Sequence, residues 1–586
     1  MRHILALSVF FLLFTLPLVM AQSGSIPLLA LVEQENQTTG SVAELQLEIV
    51  PGSERVFLET FPLTKVTTQV SLRFAQQIAC KELDIDCSDK DFLFTIKSSP
   101  GIVGGPSAGG AATVLTAALL KNLSLRKDIA MTGTINSGGL IGPVGGVPDK
   151  IQAGARQGLK MILIPKGTGV SGTRKDNTTI EFEDIAAMST RLGTNITEVS
   201  TFSQALELFT GYHIPEPTTE FTVDSAYQAT MQAVAQQLCA RTTNFLQKDL
   251  DNQTLSGAKN LSVRAKKEFD NKAYYASASY CFRANTFLAQ DLVRNSSEAI
   301  QQEYFFTKKE LHDFSDKVDA RELQTISDLQ TYMMVKERVQ EVEDLLGEVA
   351  STNYTAGRKI AYAQERFESA KTWALFFNGK DKRFIVDDER IARSCEQKIA
   401  EAEERYNYVQ NYFPNAIKDS ARELSRAQRL LSEGHSADCL FASARIKADS
   451  DALISLFGVN QEDIDAIIQT KLSAVRRTLI HAQEKGVFPL IGYSYYEYAS
   501  SLKDTDKSTA ILFAEYALEL SNLDIYFPEQ VHTVPLKSEQ QPLFRNNFAK
   551  GVAVVIGLFV GICIGVTYQR LKTPARARRP LRGKKR

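Results

Sequence analysis

The chain has 586 residues, 44% of them hydrophobic and 23% charged, with a formal net charge of −1. That composition excludes a disordered, collagenous or low-complexity protein and leaves room for several domains, each with its own core. The charge is uneven: the last eighteen residues hold nine Lys or Arg and no acid, against an acidic remainder. Alone, such a tail would suggest nucleic acid; the apolar stretch before it argues otherwise, and no nucleic-acid partner is expected.

In chain order, residues 1–21 have a basic start, an apolar run from Ile4 to Met20 and a small-residue site at Val19-Met20-Ala21. They read as a signal peptide, with an uncleaved anchor as the rival. From there to residue 215 strand and helix patterns alternate. VAELQLEIV and ERVFLET alternate with period two, KVTTQVSLRFAQQIACKEL is an amphipathic helix, and DFLFTIKSS is a strand leading into GIVGGPSAGGAAT. SAGGAATVLTAALLKNL then reads as a helix, IAMTGTINS as a strand, and GGLIGPVGGV as a glycine-rich loop. A helix opens at Pro148, where the missing N–H does no harm; KMILIP is a buried strand, and Thr201 caps a closing helix.

From residue 216 to 535 the strands vanish and long Ala, Glu, Lys and Arg-rich segments predict an all-α array of hairpins. FDNKAYYASASYCFRANTFL and LSEGHSADCLFASARIKADS resemble each other weakly, each a turn followed by a small-residue helix. A juxtamembrane linker (536–548) leads to 549–568, within which Gly551–Tyr568 carries no charge and would reach ~27 Å as a helix. That stretch predicts one transmembrane helix meeting membrane lipid. The basic tail, 569–586, would then be cytoplasmic and the body extracytoplasmic at the cell membrane. Six body cysteines and eight N-x-S/T sequons fit that placement. Sequence proximity favours the pairs Cys80–Cys87, Cys239–Cys281 and Cys395–Cys439, each of the last two closing one helical hairpin. Free buried thiols remain the alternative.

The glycines around Ser107 admit two chemistries: a phosphate cradle, or a nucleophile beside amides aimed at an oxyanion. No histidine lies between residues 22 and 212, so a Ser-His-Asp triad within this domain is excluded. Neither H-x-x-x-H nor C-x-x-C spacing occurs, so no metal is expected, and no cofactor either. No G-x-x-x-x-G-K-[ST] is present; the lookalike GTGVSGTRK places Thr173 at the lysine position. What remains for Ser107 is a lysine base, which must be desolvated to be neutral, and Lys150 sits among Ile151, Ala153 and Ala155.

The segments GGPSAGGAAT, AMTGTINSGGLIGPVGGVPDKIQAGARQGLKMILIPKG and VSTFSQALELFTG together resemble the proteolytic domain of the Lon family of serine proteases. The resemblance covers about residues 90–212. It implies an α+β Lon-type fold over 22–215, Ser107 as nucleophile, Lys150, 43 residues on, as base, and Thr132 as the hydroxyl that orients the lysine. It also implies an oxyanion site from the backbone at Gly105, Ser107 and Ala108, with protein or peptide substrates. Asp149 is left as a cap or surface charge, and Lys160 and Lys166 as ordinary lysines. The chain departs from the family in lacking its AAA+ ATPase, in having a different helical region after the protease domain, and in having Ile135 where an acid often follows the T-G pair. The arrangement resembles membrane-anchored, ATP-independent Lon-like proteases of archaea, and leaves a homo-oligomer open. The competing expectation is a non-catalytic cell-surface scaffold that binds peptides through a Lon-like domain.

Overall fold

The organising strand is β2 (Gln37–Pro51), in which Ala43, Leu45, Leu47 and Ile49 are buried while Glu44 and Glu48 between them are exposed. That alternation turns one face of the strand toward the core. The computed structural model describes residues 22–521 except 35–36, 62–63, 65, 99–101, 104, 169, 175–179, 294–295, 350–353, 378–387, 413–417, 457–458 and 460. All of these lie in one unit, Met1–Phe527.

Strand β1 (Gln22–Gln34) pairs antiparallel with β2, from Gln22↔Ile49 to Gln34↔Gln37. With β3 (Val56–Phe61), β4 (Lys90–Lys97), β5 (Ile102–Val103), β6 (Ile129–Met131), β9 (Met161–Pro165) and β12 (Asn195–Val199) it forms a mixed sheet. The strand order is β12-β9-β6-β1-β2-β4-β3, with β5 on β1. One face carries α1 (Val66–Glu82) and α2 (Gly109–Leu120), whose Leu72, Ile78, Val114 and Leu115 pack on Leu45, Leu47, Phe92 and Phe94. The other carries α3 (Val147–Arg156), whose Val147 and Ile151 pack on Leu29, Ala130, Ile162 and Ile164. β6 and β9 are parallel and covered on both faces, which is why MILIP is continuously apolar.

Two sequence expectations change here. IAMTGTINS is not one strand: the chain leaves the mixed sheet after Met131 and forms β7 (Thr134–Asn136) in a separate two-stranded sheet. The glycine-rich loop holds β8 (Leu140–Gly142), which folds back on β7 from Thr134↔Gly142 to Asn136↔Leu140. Gly138 and Gly139, with φ of 69° and 70°, make that reversal. The hairpin β10 (Val170–Arg174) with β11 (Ile180–Asp184), and the helices α4 (Ile185–Leu192) and α5 (Phe202–Thr210), complete this half. The Thr201 hydroxyl caps α5 by accepting from the Gln204 N–H.

Twelve helices follow among the described residues. They are α6 (Ser225–Phe245), α7 (Asn252–Asp270), α8 (Tyr274–Asp291), α9 (Ser297–Asp319), α10 (Ile326–Gly347) and α11 (Tyr354–Trp373). After them come α12 (Asp388–Tyr412), α13 (Lys418–Ser432), α14 (Ser436–Ser455), α15 (Ile464–Glu484), α16 (Leu490–Leu502) and α17 (Lys507–Ser521). Disulfides join Cys80 to Cys87, Cys239 on α6 to Cys281 on α8, and Cys395 on α12 to Cys439 on α14. The two long loops therefore span three helices, not a hairpin: α7 and α13 lie inside them.

The expected transmembrane helix, and the single-pass placement built on it, need correction. Among the described residues no helix is long and apolar enough to cross a membrane. The longest, α12 with 25 residues, reads DERIARSCEQKIAEAEERYNYVQNY and carries charge along most of its length. The segments 1–21 and 549–568 that prompted the expectation lie outside the described residues. The described residues accordingly form an α+β half and a helical array with no membrane-spanning helix among them, and the cell-membrane localisation is dropped with it.

Candidate active site

The site is assembled around the two residues that link β6 to β7. The Thr132 N–H donates to the Leu163 carbonyl at 3.0 Å, anchoring the link to β9. The Gly133 N–H donates to the Ser107 carbonyl at 3.1 Å, and its own carbonyl accepts from the Gly110 N–H at 3.0 Å. The start of α2 is thus laced to this dipeptide by main chain alone. A side chain at position 133 would come 2.5 Å from Ile141 Cγ2, and one at 110 would come 2.8 Å from Met131 Cε. Glycine at both positions is what permits the approach.

Ser107 lies on a short 3-10 turn, Pro106–Ala108, and α2 begins only at Gly109, later than the sequence suggested. The turn is entered through Gly105, whose φ of 122° is in the region that favours glycine. Two hydroxyls of α1 hold it: the Gly105 N–H donates to Thr68 Oγ1 at 3.2 Å, and Ser71 Oγ donates to the Pro106 carbonyl at 3.1 Å. Ser107 itself is half-buried.

Lys150 stands in the first turn of α3 and is 2% exposed. Its Nζ donates to Thr132 Oγ1 at 3.2 Å, and Thr132 is fully buried. Burial pushes the Lys150 ammonium down from 10.5 to about 7. An ammonium removed from water without an opposing carboxylate favours its neutral form. Ser107 and Lys150 therefore meet the same dipeptide from two sides, one through Gly133 and the other through Thr132. Lys166 is engaged elsewhere, with Glu198 at 3.1 Å, and Lys160 is exposed.

Three contributors escaped the sequence reading. Thr68 and Ser71 left a signal, two short hydroxyls at i and i+3 on the buried face of α1. Gly40 on β2 left another, a glycine inside a strand, which often marks close backbone approach. A Cβ there would overlap the Asp149 carbonyl and lie 3.1 Å from the Lys150 nitrogen, so this glycine lets α3 sit against β2. Gly40→Ala is expected to cost about 1–3 kcal/mol by overpacking. It should also lower activity by displacing Lys150; thermal melts read beside peptide-cleavage rates check both.

Residues 89–180, which include Ser107, Thr132 and Lys150, match the family described as Lon protease (S16) C-terminal proteolytic domain. The Lon protease of Paraburkholderia phytofirmans is 32% identical over 131 residues, 22% of this chain and 16% of that protein. The Lon protease of Fervidobacterium nodosum is 28% identical over 129 residues, again 22% and 16%. Human peroxisomal Lon protease homolog 2 is 47% identical over 62 residues, 11% of this chain and 7% of its own length. The chain thus spans about a sixth or less of the length of these relatives.

Proposed function

We propose that the chain is a serine endopeptidase that cleaves protein or peptide chains with a Ser107–Lys150 dyad and without ATP. The observation that carries this reading is the lysine: a fully buried amine, brought to about 7 by desolvation and hydrogen-bonded to a threonine whose neighbour holds the serine's carbonyl. A group poised near neutral pH can take a proton and return it. Lys150 Nζ accepts the Ser107 hydroxyl proton as Oγ attacks the scissile carbonyl carbon. The carbonyl oxygen becomes an oxyanion facing the Ser107 and Ala108 backbone amides at the head of α2; the Gly105 N–H, expected to join them, is committed to Thr68 Oγ1. The C–N bond then breaks, Lys150 gives the proton to the departing amine, and an acyl ester remains on Ser107. Water activated by the same lysine hydrolyses the ester and restores the hydroxyl. Thr132 keeps the amine aimed throughout.

Independence from nucleotide is supported by the absence of a Walker-type phosphate loop from the 586 residues. The test is incubation of the purified protein with unfolded casein in nucleotide-free buffer, beside Ser107→Ala. Wild type should cut and the variant should fold but not cut; cleavage that survives in Ser107→Ala would reject the assignment.

A further inference from the structure

The β7–β8 hairpin that follows Thr132-Gly133 is unusual for a turn: every residue from Met131 to Leu140 is buried. A buried reversal must find partners for its polar groups, and here the helical array supplies them. Arg405 on α12 donates through Nη2 to the Ile135 carbonyl at 2.9 Å and to Asn136 Oδ1 at 2.7 Å. Ser137 Oγ donates to Glu519 Oε1 on α17 at 2.7 Å. Behind these contacts lies a charged cluster closed to water. Arg405 pairs with Asp451 at 2.9 Å, and Glu519 is held by Lys398 at 2.9 Å and by Lys447. The side chains of Arg405, Asp451, Lys398, Lys447 and Glu519 are all 3% exposed or less.

The hairpin touches the catalytic elements directly. A Cβ at Gly109, the first residue of α2, would lie 2.8 Å from Ile135 Cγ2 and 3.1 Å from the Ile135 nitrogen. Ile135 therefore rests against the turn that presents Ser107, and its carbonyl is the one Arg405 holds. Two residues before it, Gly133 bonds the Ser107 carbonyl; three before it, Thr132 receives Lys150. A bulk apolar contact would fix the hairpin's depth but not its register. A guanidinium with two specified acceptors fixes both, which is the best-attested use of buried charge.

We propose that Arg405 is a positioning residue for the dyad: by holding Ile135 and Asn136 it sets the β6–β7 link in the place where Thr132 aims Lys150 at Ser107. The helical array is then part of the peptidase machinery and not an appended module. This inference rests on the dyad reading above.

The experiment measures kcat and KM for nucleotide-free cleavage of one peptide by the full chain and three variants, with folding followed by circular-dichroism melts. Arg405→Met/Asp451→Leu removes both charges together and leaves none unpaired within that pair. Asn136→Ala deletes one acceptor and no charge, and Arg405→Lys keeps a cation but loses the planar fork of guanidinium donors. The expected result is a kcat at least tenfold lower in the folded double variant and several-fold lower in Asn136→Ala. KM should stay within twofold throughout, and Arg405→Lys should recover part of the loss. A folded double variant with kcat within twofold of wild type overturns the proposal; should that variant not fold, an unchanged kcat in Asn136→Ala overturns it. Wild type that fails to cut, or cutting by Ser107→Ala, would instead defeat the dyad reading, so the two failures are told apart.

Discussion

Lys150→Arg is expected to lower peptide cleavage roughly 10³-fold or more with the fold retained, the range general-base loss reaches at its upper end. A guanidinium keeps the positive charge but stays protonated in proteins, so it cannot accept the Ser107 proton. In the wild type, kcat/KM should climb through about pH 7 as Lys150 loses its proton, because desolvation has brought it there. No histidine is available between residues 22 and 212 to give the same profile. Thr132→Ala should leave partial activity and move the rise, since it removes orientation but not the base. Rates of peptide hydrolysis against pH for these variants check all three statements.

Lys150→Met should make the protein more stable near neutral pH while it abolishes catalysis. Below about pH 7 the lysine is charged in both folded and unfolded chains, and its burial cost is fully present. Between about 7 and 10.5 the unfolded chain binds more protons than the folded one, so wild-type stability rises with pH. Above 10.5 the lysine is neutral in both states and the difference disappears. At about 1.4 kcal/mol per unit, the penalty lifted at pH 7 approaches about 5 kcal/mol, less about 1 for the Thr132 hydroxyl left without its donor. Denaturant titrations of both proteins at pH 6 and pH 10 should show a large advantage for Lys150→Met at the lower pH and little at the higher.

More of the candidate site than of the architecture was legible in the sequence. Ser107 stands out by its glycine turn and Lys150 by the apolar first turn of its helix, while Thr132 is marked only by the resemblance to the Lon family. Those settings are written within a few neighbouring residues. The strand β1 was not read, although SIPLLALV is apolar, because it directly follows the signal-like run and lacks clean alternation. The sequence reads the β7–β8 hairpin as strand and loop because its turn depends on Gly138 and Gly139 and its burial on Arg405, some 270 residues away. The similarity between the segments around Cys281 and Cys439 did carry meaning. Each is the third helix of a disulfide-linked trio, α6–α8 or α12–α14, which spacing alone presented as a pair. The membrane expectation came from segments outside the described residues, and none of the described helices restores it.

The most direct measurement is phosphonylation of Ser107 itself, its Oγ displacing fluoride from phosphorus. Nucleotide-free protein is treated with a serine-directed fluorophosphonate, and the modified peptide is located by mass spectrometry across pH 5–9. The dyad predicts a single adduct on Ser107, formed faster as pH rises through about 7 and not formed in Lys150→Arg. An adduct on another serine, or equal labelling of Ser107 in Lys150→Arg, would contradict it.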